Sequence, residues 1–203
     1  MLFNITEKDY EFLALQKGKL HNIKADREAW ADAYTASINL DLRTFVEHLP
    51  KDCKNILDIG SGLGGMDAAI NKACGGGLEV CLLDGEADQP SMVKHNQTFN
   101  NMEVARDFQA RHGVSNFSYM TPTKQYPRKF DLIISFGSWC FHYPPEIYLP
   151  LVIQCCTKDT VLILEVRKDH PDNWLGQLKK HFKVKQVVET RTKFDRIVFE
   201  VKK

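Results

Sequence analysis

The stretch NILDIGSGLGG, residues 55–65, decides the fold of this 203-residue chain. A short apolar run that leads into clustered glycines is typical of a buried strand followed by a tight turn and a helix. Gly60 and Gly62 allow a sharp turn and a close approach to a ligand, and Gly64 or Gly65 allows the next helix to pack on the strand. The stretch therefore predicts a ligand-binding loop between the first strand and a helix.

Strand and helix signals alternate from this stretch onward. Short apolar runs predict seven strands, over residues 55–59, 78–84, 117–120, 130–136, 160–166, 184–189 and 196–201. Apolar residues three or four apart predict helices over residues 63–74, 101–112, 146–156 and 172–182. Apolar strands separated by helices predict a doubly wound, mostly parallel α/β sheet. The last two strands are too close together for a crossover helix, so we expect an antiparallel C-terminal hairpin.

The first fifty residues carry helical signals. A capping box that begins at Thr6 predicts a short helix ending at Gly18, and a second helix is predicted from about residue 26 to residue 49, before Pro50. We therefore divide the chain into a helical extension or lid, residues 1–50, and a main domain, residues 51–203. Within the second helix, we expect Trp30 to serve packing.

Composition limits the classes of protein that the chain fits. Lys and Arg number 27 and Asp and Glu 26, so the net charge is +1. This balance disfavours a nucleic-acid partner without excluding one, because counterion release needs a basic surface. No apolar stretch approaches the roughly 18 residues of a membrane span. The N-terminal sequence resembles no secretory signal, and the histidines show no metal-ligand spacing, so neither secretion nor a metal site is expected.

Six cysteines, none of them in a C-x-x-C pair, predict reduced and mostly buried thiols in a cytoplasmic protein. The vicinal pair Cys155 and Cys156 leaves a redox-active pair as the alternative.

An acid also stands at the end of the second predicted strand. Asp84 follows Gly64 by twenty residues, at a place where a carboxylate accepts hydrogen bonds from both hydroxyls of a ribose. The alternative for Asp84 is a solvated turn residue. Together with the glycine loop, Asp84 predicts a nucleoside site. A nicotinamide dinucleotide is disfavoured because Asp58 would lie near its pyrophosphate and the chain leaves little room for a second substrate domain.

These residues carry a family resemblance over about residues 26–203. The string DIGSGLGG, the acid after the second strand, the run FDLIISF at residues 130–136 and the terminal antiparallel pair resemble the class I S-adenosylmethionine-dependent methyltransferases. The resemblance implies S-adenosyl-L-methionine as cofactor, held at its methionine end by the acid–glycine loop and at its ribose by Asp84. The cofactor-binding residues that we predict on this basis are Asp58, Gly60, Ser61, Gly62, Gly64, Asp84, Gly85, Thr121, Phe136 and Tyr34. Thr121 stands where the family often has an acid for the adenine amino group, so this part of the pattern departs from the family.

The segment SFGSWCFHYPP, residues 135–145, follows the fourth predicted strand, where family members place residues that face the substrate. His142 is the candidate general base, because an imidazole accepts a proton at neutral pH; a packing role is the alternative. Trp139, Phe141 and Tyr143 are candidates for the walls of a substrate pocket, with core packing as the alternative. The segment lacks the motifs of amino-methylating DNA enzymes and of cytosine C5 enzymes.

The function predicted from the sequence is methyl transfer to a hydroxyl of a small molecule, with a sugar-like acceptor as a soft preference. The alternatives are methylation of RNA or protein, which predicts a basic surface at the carboxyl edge of the sheet, and a binding module without turnover. The sequence leaves the acceptor and the oligomeric state open.

Overall fold

A computed structural model describes residues 2–15, 27–85, 101–122 and 124–202. The N-terminal helices are α1, Glu7–Leu15, and α2, Arg27–Arg43, followed by a 3₁₀ turn over Val46–His48. The predicted end of the first helix at Gly18 lies outside the described residues. The second helix ends six residues before the predicted boundary at residue 49, where the hydroxyl of Thr44 donates to the carbonyl of Asp41 (2.7 Å).

The sheet contains seven strands in the order β3-β2-β1-β4-β5-β7-β6. Their bounds are β1 Asn55–Ile59, β2 Glu79–Leu83, β3 Asn116–Met120, β4 Phe130–Ser135, β5 Cys156–Arg167, β6 Phe182–Thr190 and β7 Phe194–Val201. The first five strands pair in parallel, and β7 pairs antiparallel with both β5 and β6. The predicted fold class and the C-terminal hairpin are confirmed.

Helices cover both faces of the sheet. The remaining helices are α3 Gly65–Ala73, α4 Met102–Arg111, α5 Leu149–Cys155 and α6 Trp174–Leu178, with a 3₁₀ turn over Pro145–Ile147. Alternate residues of each central strand point to opposite faces, because side chains alternate along a strand. Ile56 and Ile134 join one core with residues of α1 to α4, and Leu57 and Ile133 join the other core with residues of α5 and α6.

The N-terminal helices share the core of the sheet. Phe3, Phe12, Trp30 and Phe45 are buried in the same cluster as Ile56 of β1, and Trp30 also contacts Tyr10 edge-on. The packing role expected for Trp30 is confirmed.

Helix α6 is much shorter than the predicted helix over residues 172–182. Asn173 begins it in a left-handed conformation (φ 45°), and its side chain accepts from the amide of Gly176 (3.0 Å). Phe182 belongs instead to β6, where its side chain is buried against Phe199. Strand pairing with β7 therefore overrides the local helical pattern of the apolar residues.

Candidate active site

The strand order reverses between β1 and β4, so the carboxyl ends of these two strands border the crevice in which doubly wound sheets bind ligands. The loop after β1 carries three glycines with positive φ, namely Gly60 (78°), Gly62 (55°) and Gly64 (73°). Residues with a Cβ seldom adopt this conformation, which explains why glycine recurs at these positions. The amide of Gly60 donates to the carbonyl of Leu83 (2.7 Å) and attaches the loop to β2.

Asp84 connects the end of β2 with the glycine loop. Its Oδ2 accepts a hydrogen bond from the amide of Gly62 and its Oδ1 accepts one from the amide of Gly85, both at 2.8 Å. These two bonds turn the carboxylate of Asp84 toward the glycine loop. The structure thus brings together Asp84, Gly62 and Gly85, as the sequence predicts for a nucleoside site.

Asp58 and Asp67 form a buried pair of carboxyl groups beside this loop. Asp58 is the penultimate residue of β1 and is 4% exposed, and Asp67, in the first turn of α3, has no exposed surface. Burial raises the pKa of Asp58 well above its usual range, and the charges of Asp67 and Asp84 raise it further. Burial also raises the pKa of Asp67, to about 7, while the neighbouring carboxyl group of Asp58 acts in the opposite direction. Burial of both side chains therefore favours the protonated form of these carboxyl groups.

Few hydrogen-bond donors surround the carboxyl group of Asp67 in the described part of the chain. Within the described residues, neither oxygen of Asp67 accepts a hydrogen bond of good geometry from an N–H or hydroxyl donor. The Oγ of Ser61, in the glycine loop, is likewise buried without such a partner in the described part of the chain. Buried polar atoms without partners are uncommon in folded proteins and call for a specific explanation.

Tyr34 of α2 reaches the start of α3. A Cβ at position 65 would clash with the Tyr34 hydroxyl, so Gly65 is needed for this close approach. Burial raises the pKa of Tyr34, a hydrogen bond from the Gly65 backbone lowers it, and the charges of Asp67 and Asp58 raise it again. Tyr34 therefore stays protonated next to the carboxyl pair, at the end of the loop where the sequence places the aminoacyl part of the cofactor.

Two further contacts hold the glycine loop. A Cβ at Gly60 would clash with the side chain of Ser138, and one at Gly64 with the amide of Gln109. Gln109 is fully buried on α4, and its Nε2 donates to the carbonyls of Leu63 (2.9 Å) and Gly64. These glycines thus allow close packing of protein on protein as well as the approach of a ligand.

The segment after β4 turns back on itself beside the loop. The carbonyl of Ser138 accepts from the amides of Phe141 (3.0 Å), His142 (2.7 Å) and Tyr143 (3.1 Å). Cys140, inside this turn, has φ 66°, an uncommon conformation for a residue with a Cβ. Its amide donates to the carbonyl of Tyr143 and its carbonyl accepts from the amide of Arg167, so hydrogen bonds on both sides hold it in this conformation.

The four site residues predicted in this segment have different surroundings in the structure; they are Trp139, Phe141, His142 and Tyr143. Trp139 has no exposed surface, and its indole N–H donates to the carbonyl of Pro145 (3.0 Å). Such a side chain offers no surface to a substrate, so core packing replaces the substrate contact predicted for Trp139. Phe141 packs edge-on against Phe194 (5.6 Å between ring centroids), and Tyr143 is half-buried.

Two tyrosines of this region, Tyr143 and Tyr148, interact electrostatically with Asp84. Burial raises the pKa of Tyr143, and the negative charge of Asp84 raises it further; the same causes act on Tyr148. Both hydroxyls therefore stay protonated at neutral pH.

His142 is exposed to solvent. Partial burial of its ring lowers its pKa, and the positive charges of Arg167 and Lys193 lower it further. The imidazole is therefore unprotonated at neutral pH, which is the form that a general base requires.

Thr121 and Phe136 are also among the residues predicted to bind the cofactor. Thr121 is buried after β3, where its Oγ1 accepts from the amide of Lys124 (3.1 Å). Phe136 stacks on Phe45 (5.4 Å) and lies under the guanidinium of Arg196 (4.9 Å). These contacts give Phe136 a packing role, and contact of either residue with a cofactor stays a prediction.

Sequence reasoning missed Asp67, Gln109, Ser138 and Tyr148. Asp67 carries a weak signal, since an acid in the first turn of a helix is ordinarily explained by the helix dipole. The other three become part of the site only when distant segments pack together.

The site fits S-adenosylmethionine on observations of this structure. The backbone turns with positive φ at three glycines, the carboxylate of Asp84 after β2 is bound to the glycine loop, and the buried acid Asp67 stands beside that loop. These carboxyl groups suit a ligand that has a diol and a positive charge.

Comparison with solved structures identifies the fold. The chain is similar to the PH0226 protein from Pyrococcus horikoshii OT3, with 14% identity, a TM-score of 0.61, and coverage of 98% of this chain and 100% of that chain. It is similar to magnesium protoporphyrin IX methyltransferase from Synechocystis PCC 6803 with bound SAM, with 14% identity, a TM-score of 0.56, and coverage of 98% and 99%. A third is the ribosomal protein L11 methylase from Lactobacillus delbrueckii subsp. bulgaricus, with 17% identity, a TM-score of 0.52, and coverage of 78% and 75%. The chain thus has the Rossmann-like fold of the class I methyltransferases.

Sequence comparisons add no closer relative. No protein-family model matches the chain, and no curated protein matches it.

The described residues lack a metal cluster and a membrane-spanning helix. They contain no group of three or more His, Cys, Asp or Glu side chains arranged to hold a metal ion. None of the helices in the described ranges combines the length and apolarity needed to cross a membrane.

Proposed function

We propose that this protein is an S-adenosylmethionine-dependent methyltransferase that acts on a hydroxyl of a small, sugar-like molecule. The observation that carries the proposal is the bridge from Asp84 to Gly62, which turns the acid after β2 toward the glycine loop. The fold shared with methyltransferases supports the proposal, and the buried Asp58 beside the loop supports a cationic ligand over a dinucleotide phosphate.

The residues of the chain divide the work between binding and proton transfer. When bound, the cofactor supplies an electrophilic methyl group on a sulfonium. Asp84 would accept hydrogen bonds from both ribose hydroxyls of the cofactor. Asp58 would balance the positive charge at the aminoacyl end of the cofactor. Most of the rate would come from alignment of the acceptor oxygen with the methyl group, because transfer in line needs orientation more than acid or base chemistry.

His142 would accept the proton of the acceptor hydroxyl. Two observations support this role: the lowered pKa of His142 favours the unprotonated ring at neutral pH, and the residue belongs to the segment that follows β4. Phe141 and Tyr143 flank it and would contact the ring of the acceptor, since aromatic side chains pack on the apolar faces of planar and sugar rings.

A second candidate is methylation of RNA or an acidic protein segment. The observation in its favour is the pair of positive charges, Arg167 and Lys193, that acts on His142. An acceptor of this class would bind more weakly as salt is added, because phosphate contacts release counterions.

The cysteines support a reducing compartment such as the cytoplasm. All six are free thiols, and burial raises the pKa of Cys140 and of Cys156, the latter to about 12. Buried thiols with raised pKa values are chemically inert, which also argues against a redox role for the vicinal Cys155 and Cys156.

The test combines cofactor binding with methyl transfer. We expect calorimetry to detect S-adenosylmethionine binding, and Asp84→Asn to weaken it by about 10- to 100-fold, because hydrogen bonds to a charged group are lost. Asp52→Asn, an exposed acid before β1, is the matched control and should bind as the wild type does. Absence of binding to the wild-type protein would contradict the proposal.

Labelled cofactor and a panel of sugar and phenol acceptors then test the reaction. We expect His142→Ala to lower the rate by about 10²- to 10⁴-fold on a true acceptor while leaving cofactor affinity unchanged. Full activity of this variant would show that His142 is not the general base. Methyl transfer only to RNA or protein would support the second candidate function. Binding without transfer to any acceptor would identify a binding module.

A further inference from the structure

Two cations without a carboxylate partner lie beside the segment that follows β4. Arg167 is the last residue of β5, and Lys193 immediately precedes β7. Neither side chain forms an ion pair with a carboxylate in the described part of the chain, whereas Arg111, Arg128 and Arg196 each do so. The charges of Arg167 and Lys193 are therefore available to a ligand.

The topology of the sheet places both cations at the edge that borders the crevice. β5 is parallel to β4, so Arg167 ends its strand at the edge where the segment after β4 begins. β7 is antiparallel to β5, and its first residue, Phe194, lies opposite Arg167. The amide of Lys168 donates to the carbonyl of Lys193 (3.0 Å), which joins the two chain segments. Since doubly wound sheets bind ligands at this edge, both cations lie where an acceptor is expected.

Contacts between side chains connect Arg167 with the candidate general base. The guanidinium of Arg167 lies 6.0 Å from the centre of the Phe141 ring, and the rings of Phe141 and His142 meet edge-on, with 4.7 Å between their centroids. The amide of Arg167 donates to the carbonyl of Cys140 (2.9 Å), which fixes the end of β5 against this segment. Partial burial lowers the pKa of His142, and the positive charges of Arg167 and Lys193 lower it further.

We propose that Arg167 and Lys193 bind an anionic group of the methyl acceptor, a phosphate or a carboxylate, close to the hydroxyl that is methylated. The inference rests on the proposed function and narrows its substrate class from sugar-like molecules in general to acidic ones. Arg167 can donate two parallel hydrogen bonds to such a group, and Lys193 adds a point charge. Phe141, which contacts both Arg167 and His142, would pack against the ring of the acceptor.

Two cations suit a single anionic group better than a nucleic-acid chain. A chain of phosphates needs a row of positive charges along the surface, because its affinity comes from the release of many counterions. The neighbouring Lys168 is compensated by Asp195 (3.7 Å), and the chain as a whole has a net charge of only +1. These observations favour a small acidic acceptor over RNA.

A bound anion would also change the candidate base. In the free protein, the charges of Arg167 and Lys193 disfavour a proton on His142. An anion held by these two cations would offset their effect, so the pKa of His142 should rise when the anion binds. The base would therefore be strongest when the acceptor is in place.

The experiment is calorimetry with small probes on the protein saturated with S-adenosylhomocysteine, which has no methyl group to transfer. Phenyl phosphate, benzoate and benzyl alcohol share a ring and differ in charge. We expect phenyl phosphate or benzoate to bind about tenfold more tightly than benzyl alcohol, and added salt to reduce the difference. The tighter of the two acids identifies the anionic group as a phosphate or a carboxylate. Titration of the His142 imidazole by NMR should show its pKa rising with the same probe.

Variants assign the binding to the two cations. Arg167→Gln should weaken binding of the acidic probe by about tenfold and remove its effect on the pKa of His142, and Lys193→Gln should weaken binding by about twofold to fivefold. Arg167→Lys should recover part of the affinity, because it keeps the charge without the two parallel hydrogen bonds. Lys158→Gln, which removes an exposed cation at the opposite end of β5, is the matched control and should bind as the wild type does.

The other outcomes separate failure of the inference from failure of the proposed function. Equal binding of the acidic and neutral probes, or an unchanged affinity in Arg167→Gln, would overturn the inference and leave the proposed function standing. A short single-stranded RNA that binds about 100-fold more tightly than phenyl phosphate and depends on Arg167 would assign the cations to a nucleic acid instead. Failure of the wild-type protein to bind S-adenosylhomocysteine and S-adenosylmethionine would refute the proposed function itself.

Discussion

The molecule contains two buried clusters of charge, and they are built differently. In one, the guanidinium of Arg196, at 1% exposure, contacts Glu165 (2.6 Å), Glu189 (2.7 Å) and Asp41 (3.1 Å). In the other, the buried Asp58 interacts electrostatically with Asp67 and Asp84, which are both acids. Burial raises the pKa of Glu165, but the charge of Arg196 opposes the rise, whereas a carboxyl neighbour raises the pKa of Asp58 further.

The difference separates a structural cluster from a candidate binding cluster. The cluster around Arg196, comprising Arg196, Glu165, Glu189 and Asp41, joins α2, β5, β6 and β7, and Glu165 also accepts from the amide of Gly137 (2.8 Å), so it holds the segment after β4 in place. Each of its three acids has a cationic partner within the protein. In the Asp58–Asp67 pair, burial favours the uncharged, protonated carboxyl groups. Burial of two acids destabilises the folded protein, whereas a cationic ligand would interact favourably with them.

The largest expected effect comes from removal of the central cation. Arg196→Met should lower the free energy of unfolding by about 3–5 kcal/mol, because three carboxylates lose a buried partner. Denaturant unfolding measures it, with Arg106→Met on the exposed face of α4 as a control that should change little. If the variant expresses poorly, Glu165→Gln in the same background should recover part of the stability; no recovery would contradict the pairing.

An intermediate effect should come from the glycine loop. In Gly60→Ala, the alanine would have to adopt a positive φ, and its Cβ would clash with the side chain of Ser138. In Gly76→Ala, the alanine would need a similar φ, but its Cβ would have open space around it. We expect Gly76→Ala to cost about 1 kcal/mol for the backbone alone, and Gly60→Ala about 2–3 kcal/mol together with loss of cofactor binding. Equal losses in the two variants, by thermal unfolding, would show that contact between the loop and the segment after β4 carries no energy.

The smallest effect is a gain in stability, and it depends on pH. Asp67 has a pKa of about 7 in the folded protein against an ordinary value of 3.8, so the folded state retains a proton that the unfolded chain has lost in this range. Stability without ligand should therefore fall as the pH rises from about 4 to about 7. Asp67→Asn should stabilise the protein at pH 8, on the order of 2 kcal/mol, and change it little at pH 4.

Melting temperatures across this pH range, without cofactor, measure the effect. A destabilised Asp67→Asn at pH 8 would show that the pair is ionised and satisfied in the free protein, and the contrast with the cluster around Arg196 would disappear. Asp131→Asn is unsuitable as a control because Asp131 accepts from the amide of Lys54 (2.8 Å). Asp107→Asn serves this purpose.

Local patterns in the amino-acid order were sufficient for the strands, the parallel sheet with its terminal hairpin, and the loop with Asp84. Each depends on residues close together in the chain, such as apolar runs, glycines at turns and an acid at the tip of a strand. Such patterns report backbone conformation and burial directly. The length of α6 could not be predicted in this way, since pairing of Phe182 in β6 overrides the helical periodicity.

Only the tertiary structure decided which side chains meet. The approach of Tyr34 to Gly65, the contact between Asp58 and Asp67, the burial of Trp139 and the convergence of Asp41, Glu165 and Glu189 on Arg196 all join segments that are separate in the chain or turned by the fold. The protonation of a carboxyl group depends on the charges and the water around it in three dimensions. The sequence alone therefore located the candidate site, and packing determined its electrostatics.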